Sequence, residues 1–162
     1  MQEFTYRHLE DETYAVMSYR GDEEHVVIPD TFLGLPVTIL YDKLFRGHTE
    51  LKSVAIPDTV TDLGGFQFDG CVNLKHVKLP ESLRNLWQYA FVRSGIEEIV
   101  LPDRVVDISP FAFKDCKSLK KVVCGRGLKN ISSWAFEGCE NLTELIYGPD
   151  VKVSERAFDS PE

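Results

Sequence analysis

The residues of this chain suited to metal binding, redox or nucleophilic chemistry are four cysteines, Cys71, Cys116, Cys124 and Cys139, and four histidines, His8, His25, His48 and His76. The cysteines lie far from C-x-x-C spacing, which zinc sites and redox pairs use to bring two sulfurs together locally. Nucleophile elbows, zincin helices and phosphate loops have equally local signatures. The chain contains no G-x-S-x-G, H-E-x-x-H, G-x-x-x-x-G-K or G-x-G-x-x-G. The pair Gly64-Gly65 offers backbone N–H groups to an anion, but equivalent positions hold Trp87-Gln88 and Ser132-Ser133, so a turn is the expected role. The sequence thus predicts no catalytic residue, no metal ligand and no cofactor.

The elements that hold these residues repeat. A phenylalanine recurs at Phe45, Phe68, Phe91, Phe113, Phe136 and Phe158, at spacings of 23, 23, 22, 23 and 22. Copies such as LKSVAIPDTVTDLGGFQF and LKHVKLPESLRNLWQYAF align apolar columns: Leu51, Leu74, Ile96, Leu119, Leu142; Val54, Val77, Ile99, Val122, Leu145; Ile56, Leu79, Leu101, Cys124, Tyr147. The last two columns lie two apart, the strand period, so each L-x-x-V-x-I predicts one parallel β-strand. Pro57, Pro80 and Pro102, and then Gly125 and Gly148, end these strands. The stretch before each marker phenylalanine, as in SPFAF or SSWAF, predicts a turn of helix with Ala90, Ala112, Ala135 and Ala157 inward. A period of this length means stacked supersecondary units. Cys71, Cys116 and Cys139, each three residues after a marker, then become separate core positions with weak thiol bonds. Cys116 and Cys139 fall in adjacent coils, whose strands lie about 4.8 Å apart, yet in-register side chains seldom present a disulfide dihedral.

These residues resemble the BspA-like leucine-rich repeat family of bacteria over residues 26–158. The I-P-x-x-V-x-x-I run, the A-F pair and the following Cys carry the resemblance, as does the opening module VVIPDTFLGLPVTIL with its G-x-P-V turn. AFVRSGIEEIVLP drops one residue and puts Ser94 in the Cys position, and RGHTEL puts His48 there; both read as turn variants. The resemblance implies a right-handed leucine-rich repeat solenoid with a parallel β-sheet face, about five to six coils, and, for many relatives, cell-surface adhesion or partner binding. It implies no catalytic residues.

The domain plan is an N-terminal β-hairpin cap at residues 1–25 and one repeat domain at 26–162. FTYRHLEDETYAVMSY places β-prone aromatic stretches either side of the acidic turn Glu10-Asp11-Glu12, and its expected task is to cover the first coil's open edge. The other end stops at Phe158-Asp159-Ser160-Pro161-Glu162 in mid-repeat, an expected place for a further domain or a second subunit to stack end to end or edge to edge. The formal charge, 18 minus 26 or −8, argues against nucleic acid. No apolar run reaches membrane-span length, and Met1-Gln2-Glu3 begins no signal peptide. As it stands the sequence predicts a cytoplasmic chain, or a surface or secreted one if trimmed from a longer precursor.

Two surfaces remain for binding. On the outward sheet face, the rows Lys75, Glu97, Lys120 and His76, Glu98, Lys121, Glu144 alternate in sign, so neighbours can neutralise each other. Beside them Val100, Val123 and Ile146 form an apolar strip suited to a protein partner. Glu98, Val100, Lys121, Val123, Glu144 and Ile146 are therefore the candidate protein-binding residues. The second surface is an aromatic file two residues before each marker: Phe66, Tyr89, Phe111 and Trp134, with Lys43 and Arg156 at its ends. It reads either as a glycan platform or as a ladder that shields the coil edge. Trp87 stands off this file. The sequence predicts a non-catalytic binding or adhesion module for a protein partner, with glycan binding along the file or a structural spacer in a longer surface protein as alternatives.

Overall fold

The computed structural model describes residues 2–161. Alternation within each repeat makes the first line of strands: β1 (Glu3–His8) and β2 (Tyr14–Arg20) precede β3 (His25–Val27), and after β4 (Thr31–Phe32) and β5 (Leu35–Leu40) comes β6 (Ser53–Ala55). Strands β7 (Asp62–Leu63), β8 (Asn85–Leu86), β9 (Glu98–Val100), β10 (Asp107–Ile108), β11 (Lys121–Val123), β12 (Asn130–Ile131), β13 (Glu144–Ile146) and β14 (Lys152–Val153) complete the order. In β3, β6, β9 and β11 the middle residue, Val26, Val54, Ile99 or Val122, is buried while its neighbours face out, as the two-residue period requires. The short strands form a second line, where Leu63, Leu86, Ile108 and Ile131 point inward. The chain is a parallel β-solenoid of about six turns.

Between the two lines the marker phenylalanines stack through the centre. Phe45, Phe68, Phe91, Phe113 and Phe136 are fully buried, with successive ring centroids 5.1 to 5.7 Å apart. Each ring buries an area worth roughly 2 to 3 kcal/mol against exposure, and each also fixes the spacing of its neighbours. The coils are thus held by contacts with the next coil, which is the energetic form of a solenoid.

The helical turns expected before each marker are absent, and consecutive β-turns take their place. Trp134 and Phe136 send their N–H groups across to the carbonyls of Arg156 and Ala157, while the Ala135 and Glu137 N–H groups close tight turns onto Ser132 and Trp134. An α-helix needs all of these donors for its own i−4 carbonyls. The residue two before the marker also takes a positive φ: 55° at Phe66, 63° at Tyr89, 62° at Phe111 and 64° at Trp134. A left-handed residue inside each turn stops helix propagation.

The N-terminal strands β1 and β2 form an antiparallel hairpin closed by Leu9 N–H to the Thr13 carbonyl, with Glu12 at φ 62°. Strand β2 then pairs in parallel with β5, and β5 with β7, so the hairpin extends the second line of strands, while among the described residues β3 pairs only with β6. Tyr6 stacks on Phe32 and Tyr19 packs against Phe45, which joins the hairpin's aromatic face to the first coil. The G-x-P-V turn is a small hairpin of β4 and β5, with Leu33 at φ 50° and Gly34 at φ 82°, the pair of left-handed residues that a two-residue turn of this hand demands.

The sheets are interrupted at one place. LKHVKL in the third repeat has the strand motif but forms a single bridge, His76 to Glu98, so the first line divides into β3–β6 and β9–β11–β13. The second line divides between β8 and β10. Both breaks lie around the 22-residue block between Phe91 and Phe113; the block between Phe136 and Phe158 is equally short, yet β12 and β14 pair across it, so length alone does not break the ladder.

Candidate functional site

Strands β9, β11 and β13 bring the sequence-predicted sheet residues together. Lys121 lies opposite both Glu98 and Glu144, and Val123 opposite both Val100 and Ile146. Lys121 Nζ stands 4.0 Å from Glu144 Oε2, with both side chains well exposed, and such a pair contributes little to stability. The apolar row is open to solvent at its ends, Val100 at 62% and Ile146 at 48% exposed, with Val123 half-buried between them. At its N-terminal side the row runs into a cleft of about 440 Å³ where the third coil parts from β9, lined by His76, Val77, Lys78, Leu79, Glu81, Glu98, Ile99, Val100 and Pro102. A smaller cleft of about 280 Å³ lies on the other side of Lys78, against Val54, Ala55 and Ile56.

The aromatic file is a continuous stack. Ring centroids lie 4.7 Å apart from Phe66 to Tyr89, 4.8 Å from Tyr89 to Phe111 and 5.4 Å from Phe111 to Trp134, with interplanar angles of 6°, 7° and 17°. The guanidinium of Arg46 sits 5.2 Å from the Phe66 centroid, and Lys114 Nζ lies 5.7 Å from that of Phe111. The ring faces are therefore turned on one another, and the edges face outward. Trp134 Nε1 is buried without a hydrogen-bond partner among the described residues.

The repeated cysteines donate to the chain beside them. Cys71 Sγ–H reaches the Phe45 carbonyl at 3.0 Å, Cys116 the Phe91 carbonyl at 3.0 Å and Cys139 the Phe113 carbonyl at 2.9 Å. All four cysteines are free thiols. Burial pushes the Cys71 thiol up to about 12 and Cys124 up to about 11, and burial, with Cys139 beside it, raises Cys116 as well. Such thiols are not nucleophiles at neutral pH. Among the described residues no group of three or more His, Cys, Asp or Glu is placed to hold a metal ion.

The sequence of residues 38–161 matches the model of the BspA type leucine rich repeat region in six copies. The chain belongs to the BspA-type leucine-rich repeat family. It is similar in structure to the Treponema pallidum leucine rich repeat protein, with 31% identity over 93% of this chain and 82% of that one and a TM-score of 0.72. A leucine-rich repeat protein from Bacteroides ovatus matches at 24% identity and a TM-score of 0.66, over 97% of this chain and 49% of that one. A leucine rich cell surface protein from Faecalibacterium prausnitzii matches at 20% identity and a TM-score of 0.57, over 88% and 52%. The chain thus spans about half the length of the last two, which share its fold. No curated protein matches the sequence. BspA-type repeats are in general protein-interaction or surface-repeat modules, and a solenoid of this kind is typically non-catalytic.

One feature of these BspA-type coils was not found from the sequence. Asp69, 3% exposed, is held by two arginines from the coils on either side: Arg93 through Nε to Oδ1 at 3.0 Å and Nη2 to Oδ2 at 2.9 Å, and Arg46 through Nε to Oδ2 at 3.0 Å. Lys114 and Glu137 pair at 3.6 Å along the same line. Part of its signal is in the sequence: Arg46, Asp69, Lys114 and Glu137 directly follow their marker phenylalanines, but Arg93 stands two after Phe91, at the left-handed position that Gly70 and Asp115 hold in their coils, and so falls outside that column.

Proposed function

We propose that this chain is a non-catalytic binding module that holds a protein partner on the outward face of β9, β11 and β13. The observation that supports it is the in-register row of Val100, Val123 and Ile146, exposed at Val100 and Ile146, half-buried at Val123 and continuous with the cleft at Lys78 and Pro102. An apolar row within a charged face supplies what a partner needs: surface whose burial drives association, beside Glu98, Lys121 and Glu144 to set register. Adhesion is the form of this role suggested by relatives such as the F. prausnitzii protein, whose name places it at the cell surface. A flat ring ligand is less well served by Phe66, Tyr89, Phe111 and Trp134, because their faces are occupied by one another.

The test compares proteins retained by the native chain, by a Val100→Glu/Ile146→Glu variant and by a Lys152→Glu control on the second line of strands. All three positions are exposed, so thermal stability should be unchanged within about 0.5 kcal/mol. Proteins retained by the native and control chains and lost from the sheet-face variant support the reading; equal retention by all three overturns it.

A further inference from the structure

The break in the second line of strands opens a second site. No backbone hydrogen bond joins β8 to β10 among the described residues. Where other coils send an N–H to the preceding coil, as Trp87 does to Leu63 and Ser132 to Ile108, the Ser109 hydroxyl instead donates to the Leu86 carbonyl at 2.8 Å. The opening is a cleft of about 420 Å³ lined by Arg84, Asn85, Trp87, Arg104, Val106 and Asp107.

Two properties of this cleft stand out against the rest of the molecule. The first is its charge. In a chain of net charge −8, Arg84 and Arg104 line one cleft, and neither lies within 4.0 Å of a carboxylate among the described residues. The nearby acids have other partners: Asp62 accepts from Thr61 and Asn85, Asp107 from Asn130, and Asp103 from Arg126. The second is the indole. Trp87 is 50% exposed and stacks on no other ring, and the equivalent positions before and after it are Gly64 and Ser109, so small residues flank it along the solenoid. On its other side a cleft of about 240 Å³ includes Arg7 and Gly64.

We propose that Trp87, Arg84 and Arg104 bind a carboxylated sugar, the ring lying on the indole and the carboxylate held by the guanidinium groups. An exposed indole beside Val106 suits the apolar face of a pyranose. Guanidinium forks match a carboxylate, and Asn85, Asp107 and Ser109 supply donors and acceptors for ring hydroxyls. This site lies on the second line of strands, away from the β9–β11–β13 face, so neither reading depends on the other.

The test is calorimetric titration with an oligogalacturonate and with sialyllactose, against the methyl-esterified oligomer and lactose as neutral partners, with Trp fluorescence as a second readout. Saturable binding of at least one acidic probe, weakened at least tenfold in Trp87→Ala and in Arg84→Ala/Arg104→Ala and less in Arg84→Lys, is the expected result; which acidic probe binds distinguishes uronic from sialic acid. Thermal melts of the variants, all at exposed positions, control for folding. The proposal is overturned if neither acidic probe binds, if neutral and acidic forms bind equally, or if the variants bind as the native chain does. Tighter binding of a polyglutamate peptide with the same Arg and Trp dependence would overturn the sugar assignment.

Discussion

Arg93 grips Asp69 through two parallel hydrogen bonds, 3.0 Å from Nε to Oδ1 and 2.9 Å from Nη2 to Oδ2, across the boundary between the second and third coils. Arg46 holds the same carboxylate from the first coil at 3.0 Å. One buried anion therefore ties three coils, and the guanidinium groups stay about half exposed. Truncating Asp69 leaves both arginines able to rehydrate, so the loss falls below that for a fully buried pair. Asp69→Ala is expected to lower stability by about 2 kcal/mol in urea denaturation. An unchanged midpoint would show that the clamp contributes nothing.

Gly95 lies where the shortened block turns, and a Cβ built on it would fall 2.0 Å from the Val72 carbonyl oxygen, a backbone atom that cannot swing aside. Gly47 presents the opposite case: its φ is +79°, but nothing lies within 4 Å of a Cβ there. Gly95→Ala should therefore cost about 3 kcal/mol or more through forced separation of two coils, and Gly47→Ala about 1 to 2 kcal/mol through backbone strain alone. The ranking is the measurement. If Gly47→Ala proves the more damaging in a thermal melt, the close approach at Gly95 is not what holds that turn.

The stacked phenylalanines, the inward strand columns and the in-register sheet row were legible because each is a strict period in the sequence, and period is what stacking preserves. The break at LKHVKL was not. Its residues match the strand motif as well as those of LKSVAI, so nothing local distinguishes a strand that pairs from one that forms a single bridge. The helical turns were misread for a related reason. Phe66, Tyr89, Phe111 and Trp134 have no intrinsic preference for positive φ, and only the next coil's carbonyls and rings, invisible to local propensity, hold them there. Trp87 stood out as off the file, but nothing local linked it with Arg84 and Arg104 in one cleft.

The left-handed turn residues make a prediction that separates a β-turn from a helix. Tyr89 stacks between Phe66 and Phe111, so removing the ring by Tyr89→Ala or Tyr89→Gly should destabilise the fold by about 2 kcal/mol or more. In a helix glycine would be worse than alanine by about 1 kcal/mol. At φ 63° the order should reverse, with Tyr89→Gly about 1 kcal/mol more stable than Tyr89→Ala, because glycine occupies this region without a Cβ penalty. Lys43, at φ 66° and exposed, supplies a ring-free version: Lys43→Gly should be neutral or stabilising by up to about 1 kcal/mol. Chemical denaturation of the three variants beside the native chain reads both comparisons at once.

The buried thiols set the alkaline limit of the fold. In the unfolded chain a cysteine releases its proton near pH 9, whereas in the folded chain Cys71 keeps it to about 12 and Cys124 to about 11, with Cys116 raised as well. Above pH 9 the unfolded chain therefore binds fewer protons than the folded one, and stability falls as pH rises. The contribution is complete below about 9 and is lost progressively toward 11 to 12, at up to about 1.4 kcal/mol per thiol per pH unit. Tyr19, pushed up to about 12 by burial and its bond to Glu23, acts in the same direction from about pH 10 upward. Between pH 8 and 9.8 the cysteines should dominate, with a loss of about 1 kcal/mol per thiol, or about 3 kcal/mol from the three together. Replacing Cys71, Cys116 and Cys124 by alanine should lower stability at pH 8 but flatten its decline to pH 9.8, measured by urea midpoint. An equal slope in both proteins would mean that these thiols ionise in the folded coil, and rapid reaction of the native chain with a thiol reagent at pH 8 would say the same.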